Sequence, residues 1–84
     1  MNFSQLTNSL EHAGFTSGEA KVYIALLNLG ESNVGPIIKS SGISRSKSYD
    51  ILERLIEKGV VSKIEKQGLL LFQALPPHNL LNII

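Results

Sequence analysis

The chain has 84 residues, of which 43% are hydrophobic and 18% charged, with a formal net charge of +1 and no cysteine. A chain this short makes at most one domain with one modest core, burying about 60 to 65% of the surface its unfolded form exposes. The composition argues against disorder, the missing cysteines exclude a disulfide staple and a thiolate metal site, and the small net charge excludes indiscriminate adhesion to nucleic acid over the whole surface.

No apolar run approaches the roughly 18 to 20 residues that a membrane helix needs. The start, Met1-Asn2-Phe3-Ser4, lacks the basic and apolar regions of a signal peptide. A soluble cytoplasmic protein, with no membrane partner, is expected.

Along the chain, Leu6, Leu10 and Ala13 recur at helical spacing with Phe3 one turn earlier, and Gly14 is placed to stop the helix, which predicts a helix over about Ser4 to Ala13. Thr16-Ser17-Gly18-Glu19 has the form of a capping box, with Phe15 ahead of it able to staple onto Ala20. The second helix then runs to about Leu29 with Ala20, Tyr23, Ile24 and Leu27 on one face, and Gly30 ends it. Glu31 to Val34 reads as an extended link in which Val34 adds a rudimentary strand. Gly35-Pro36 opens a third, short helix anchored by Ile37 and Ile38 and stopped by Gly42.

A fourth helix takes residues 45–58, with Ser48, Ile51, Leu52, Leu55 and Ile56 as its core stripe and Tyr49 on the flank. From Val60 the period changes to two. Val60, Ser62 and Ile64 alternate with Val61, Lys63 and Glu65, Lys66-Gln67-Gly68 supplies a turn, and Leu69 to Leu75 is β-prone, so 60–75 reads as a hairpin with a basic tip. Successive strand residues alternate faces, so at least one of Leu69, Leu70 and Leu71 is expected on the surface. Pro76-Pro77 closes the strand, and His78 to Ile84 can begin a last helix with Leu80, Leu81, Ile83 and Ile84 as its apolar residues. This element order is that of a mainly α winged helix-turn-helix: three to four helices, a two-stranded wing and the start of a C-terminal helix.

The stretch Gly42-Ile43-Ser44-Arg45-Ser46-Lys47-Ser48-Tyr49 holds most of the functional information. Gly42 suits the left-handed end of one helix, and Ser44 is placed to cap the next through its side chain. The new helix points unpaired amides and the positive end of its dipole outward, where anions are favoured. From Ser32 to Tyr49 the charged residues are Lys39, Arg45 and Lys47, with no carboxylate, whereas Met1 to Glu31 has Glu11, Glu19 and Glu31 against Lys21. The near-neutral total hides a basic patch.

Ser46 and Lys47 project from the core stripe and are candidates for base edges or phosphates. Asp50 projects with them and can accept from a cytosine amine or orient a basic neighbour. Tyr49 can pack its ring on the flank and offer its hydroxyl to a phosphate, or be plain core. Lys39 and the Gly35 amide flank the same side. On the hairpin, Lys63, Lys66 and Gln67 can reach an adjacent groove or backbone, against the plainer reading of a polar tip facing water. His12 and His78 have no ligand partner at metal spacing, and no phosphate loop, nucleophile elbow or HExxH motif is present, so neither a metal, a cofactor nor an enzymatic activity is expected.

Four blocks of the chain resemble the amino-terminal DNA-binding domain of the TrmB family, sugar-responsive transcriptional regulators found mainly in archaea. Phe15 to Leu27 is similar to the family's opening "LTxxEAKVYxALL" pattern, Ser41 to Leu52 and Leu55 to Val61 follow in order, and Phe72-Gln73-Ala74-Leu75-Pro76-Pro77 is similar to its "YxAxPP" ending. The chain departs where Ser44 stands for a frequent proline, where Ser48 stands for a usual valine, and in the apolar Leu69-Leu70-Leu71. The family's effector-binding domain has no counterpart before Ile84, so no small-molecule effector site is expected within the chain. The resemblance implies a homodimer on double-stranded DNA, with residues 1–77 as the DNA-binding domain and 78–84 leading into a dimerising helix, the interface falling on Leu80, Leu81, Ile83 and Ile84.

The expected function is sequence-specific duplex binding by an archaeal-type, nucleoid-associated transcriptional regulator, with 45–58 as recognition helix and 60–75 as wing. DNA contacts are expected from Lys39, Ser44, Arg45, Ser46, Lys47, Tyr49, Lys63, Lys66 and Gln67. The competing reading is a winged-helix protein-interaction or architectural chromatin module, in which the leucine-rich strand and tail bind a partner.

Overall fold

The computed structural model describes residues 3–75. The expected start of a C-terminal helix and the dimer residues Leu80, Leu81, Ile83 and Ile84 lie outside the described residues. Four helices come first in the chain, α1 (Phe3–His12), α2 (Ser17–Leu29), α3 (Val34–Ser41) and α4 (Arg45–Glu57), followed by strands β1 (Val61–Lys66) and β2 (Leu69–Ala74).

The local signals explain most of these boundaries. The capping box is present in full: Thr16 Oγ1 accepts from the Glu19 amide at 3.1 Å and Glu19 Oε1 accepts from the Thr16 amide at 2.9 Å. Gly42, at φ 75° and ψ 12°, takes the left-handed conformation that closes α3, and its amide donates to the Ile38 carbonyl. The strands pair antiparallel from Val61 opposite Ala74 to Lys66 opposite Leu69. Gln67 and Gly68 between them both have positive φ, at 50° and 80°, as the tight primed hairpin turns require.

Three details differ from the sequence reading. Ala13 follows the end of α1 and is exposed, because the helix stops at His12 and the chain turns there through Gly14. The apolar face of α2 is wider than Ala20, Tyr23, Ile24 and Leu27. Val22, Ala25 and Leu26 are buried as well, and Ile24 and Leu27 are only half-buried, because α2 packs against α1, α3, α4 and β2 on different sides. Val34 is the first residue of α3. The strand-like pairing is made by Ser32, which exchanges two backbone bonds of 2.9 and 2.7 Å with Phe72 and so fastens the α2–α3 link to β2.

The core is Leu10, Phe15, Val22, Tyr23, Leu26, Ile37, Leu52, Leu55, Val60, Val61 and Phe72, with Phe15 and Tyr23 meeting edge to face at 6.0 Å. Of the three leucines on β2, Leu69 and Leu70 are exposed at 56% and 39%, and Leu71 is half-buried. Tyr23 ties the core to the wing: its ring is fully buried and its hydroxyl donates to the Leu75 carbonyl at the end of β2. Burial raises the Tyr23 pKa above the ordinary 10.0.

Tyr23→Phe is therefore expected to destabilise the fold by roughly 1 to 3 kcal/mol, measured by urea unfolding at neutral pH, since the Leu75 carbonyl loses its donor. The pH dependence has a definite sign. The unfolded phenol ionises near 10.0 while the buried one resists, so this contribution is complete below pH 10 and falls as pH rises beyond it. The Phe variant should lack that alkaline limb.

Candidate nucleic-acid interface

The turn between α3 and α4 is fixed by three hydrogen bonds. The Gly42 amide donates to Ile38 O at 2.8 Å, the Ile43 amide donates to Ser41 Oγ at 3.2 Å, and Ser48 Oγ donates back to Ile43 O at 3.2 Å. Ser48 has no exposed surface. Its polar atom in the core stripe of α4 is accounted for by the turn it secures, one turn of helix away.

Ser44 stands at the N-cap with φ −61° and ψ 160°, but its side chain makes no capping hydrogen bond, contrary to expectation. Its contribution comes from the backbone: Ser44 O accepts from the Ser48 amide at 2.8 Å, the first bond of α4. The amides of residues 45–47 lie ahead of that first bond and face outward uncapped. Arg45, Ser46 and Lys47 are exposed around them, Tyr49 is 40% exposed on the flank, and Lys39 is exposed in the last turn of α3. Ser44, Arg45, Ser46, Lys47 and Tyr49 are thus exposed in and just before the first turns of α4, and Lys39 is exposed near the end of α3.

The position of this tip depends on close packing behind it. A Cβ on Gly18, at the start of α2, would lie 3.0 Å from Ile51 Cδ1 of α4 and 3.8 Å from Ile43 Cδ1 of the turn. Glycine there lets the capped end of α2 lie directly against both.

The wing residues are exposed too, but they belong to a different set. Lys66 Nζ donates to Glu31 Oε1 at 3.1 Å, and Lys63 Nζ lies 3.7 Å from Glu53 Oε1 of α4. Gln67 is exposed in the hairpin turn. Asp50 is 3.1 Å from Arg54 one turn along α4, the basic-neighbour arrangement of the two considered for it. Among the described residues, Lys39, Arg45 and Lys47 enter no ion pair. Sequence reasoning missed the hydrogen bond of Ser48, whose one signal was a polar residue at a core position, and the carboxylates Glu31 and Glu53, for which it held none.

The family described as "Sugar-specific transcriptional regulator TrmB" matches residues 10–78. The chain belongs to the TrmB family. It is 37% identical over 57 residues to the HTH-type sugar sensing transcriptional regulator TrmBL1 of Pyrococcus furiosus, a span that is 68% of this chain and 17% of that protein. It is 40% identical over 52 residues to the uncharacterized protein YrhO of Bacillus subtilis, covering 62% of this chain and 19% of that one. The chain thus spans less than a fifth of the length of the curated relatives it matches.

Among solved structures, TrmBL2, described as an archaeal chromatin protein with a novel mode of DNA binding, superposes with a TM-score of 0.83 at 22% identity, covering 96% of this chain and 31% of that one. BpsR of Bordetella bronchiseptica, whose DNA binding is regulated by 6-hydroxynicotinic acid, gives 0.76 at 16% identity over 94% of this chain and 58% of that one. At these identities the likeness establishes the fold: the TrmB-family chain is a winged helix of four helices and an antiparallel hairpin. Among the described residues, no helix is long and apolar enough to cross a membrane.

Ser48→Ala should cost about 1 to 3 kcal/mol by denaturation, because it strips a donor from a part-buried carbonyl. Hydrogen exchange at the Gly42 and Ile43 amides should speed up more than at α1, locating the loss in the turn.

Proposed function

We propose that this chain binds double-stranded DNA sequence-specifically as the reading domain of a transcriptional regulator, with the first turn of α4 entering the major groove. The observation that supports this most directly is the uncapped end of α4. Three amides and the positive end of the helix dipole stand there, and the nearby stretch of chain carries Lys39, Arg45 and Lys47, unpaired among the described residues, with no carboxylate between Ser32 and Tyr49.

In this reading Arg45, Lys39 and the Gly35 amide hold phosphates, Ser46 and Lys47 reach base edges, and the Tyr49 hydroxyl meets the backbone. Ser44 sets the start of the helix. Lys63, Lys66 and Gln67 stand on the wing beside the neighbouring groove. Residues 1–77 form the DNA-binding unit, and a homodimer built through 78–84 would place two such tips on half-sites about one helical turn, or a multiple of it, apart. The work belongs inside the cell, on the nucleoid.

The described chromatin role of TrmBL2, together with the exposed Leu69 and Leu70, supports a second reading, an architectural module without sequence readout. Competition separates the two: a sequence-specific domain holds a selected duplex against excess random DNA, and an architectural one does not.

Substitutions at the tip test the face itself. Lys47→Ala should weaken duplex binding several-fold in a low-salt mobility shift. Arg45→Glu should abolish it, since a phosphate contact becomes a repulsion. Unchanged affinity in both variants would refute α4 as the binding element.

A further inference from the structure

The two lysines of the wing are each held by a carboxylate of the body, and the carboxylates come from separate elements. Glu31 lies in the α2–α3 link, directly before Ser32, which two backbone bonds fasten to Phe72. Its side chain is 32% exposed, the most covered partner in the three ion pairs. Glu53 sits in the middle of α4 and meets Lys63 from β1. Lys39, Arg45 and Lys47, all close to the turn in the chain, have no such partner among the described residues. The cations are therefore sorted: free at the helix tip, neutralised on the wing.

We propose that Glu31 and Glu53 determine how the domain binds DNA, by offsetting the wing lysines Lys66 and Lys63 respectively, so that the electrostatic grip comes from Lys39, Arg45 and Lys47. This rests on the duplex-binding reading above. An exposed ion pair is weak enough for a phosphate to open, yet the displaced carboxylate stays within a Debye length, about 8 Å, and repels that phosphate. Each wing lysine then contributes little net counterion release. Backbone affinity common to all sequences is kept low, and contacts from α4 to base edges form a larger share of the total.

Salt dependence measures this directly, because log K falls with log salt by about 0.9 per phosphate neutralised on a duplex. Contacts from Lys39, Arg45 and Lys47 together would give a slope of about −2.7 per domain. Glu31→Gln and Glu53→Gln keep size and an acceptor oxygen while removing the charge. In fluorescence titrations of the full chain on a synthetic duplex, each should steepen the slope by up to about 0.9 and tighten binding several-fold at about 50 mM salt. In the Glu31→Gln background, Lys66→Ala should cancel the gain and return the slope to that of the parent. Thermal melts confirm that these surface variants remain folded. A slope unchanged in both Gln variants, or a Glu31→Gln gain that Lys66→Ala leaves in place, overturns the inference while leaving duplex binding intact. Failure of the parent and both Gln variants to bind any duplex at that salt overturns the DNA reading itself, and this inference with it.

Discussion

Everything in this domain is positioned by helix α2, which has to be buried on most of its circumference. Val22, Tyr23, Ala25 and Leu26 point in different directions around the helix, and all are buried. A helix surrounded in this way cannot tilt or slide without opening a gap somewhere, since protein interiors have few voids to absorb the movement. α1, α3, α4 and β2 each pack a single apolar face against it. Their mutual orientation is therefore set through α2, and Gly18 lets the turn and α4 come close to its start.

The few buried polar residues sit where elements join. Glu19 closes the capping box at the start of α2, Ser32 is bonded to Phe72 where the link meets the sheet, and Ser48 secures the turn ahead of α4. Each is satisfied by a short-range or backbone partner, as a small core requires, because an unpaired polar group there would offset much of the apolar burial. Tyr23 does the same over a longer distance, fastening α2 to the end of the wing. The α4 tip is thus a rigid platform reached by a tight turn, and its outward amides remain open because no side chain has been placed to close them.

Local chemistry was readable in the sequence, and contacts between distant segments were not. The capping box, the left-handed Gly42, a hairpin turn within Lys66-Gln67-Gly68 and the buried stripe of α4 all follow from residues within a turn or two of one another. The face of α2 was misjudged because a period of 3.6 predicts one stripe, and a helix packed on several sides has no single stripe to find. Placing the strand-like pairing at Val34 failed by two residues for a similar reason: Ser32 is selected by Phe72, far along the chain. Ser44 has the right identity for a cap and simply does not bond. At the candidate site the exposed cations were legible one by one, whereas their sorting depended on Glu31 meeting Lys66 across 35 residues.

That sorting resolves an apparent conflict between a net charge of +1 and a nucleic-acid role. Of the eight basic residues, Arg54, Lys63 and Lys66 are in ion pairs and Lys58 lies 5.5 Å from the centre of the Phe15 ring. Lys21, Lys39, Arg45 and Lys47 remain, and three of these four flank the α3–α4 turn. A uniformly basic surface would attract DNA in many orientations. Outside that corner the chain carries five basic and seven acidic residues, so in the proposed duplex reading a single orientation, reinforced by the aligned amides of a helix start, presents Ser46 and Lys47 to base edges. In that reading the small net charge favours directed binding, with Glu53 and Glu31 paired to the two lysines of the wing.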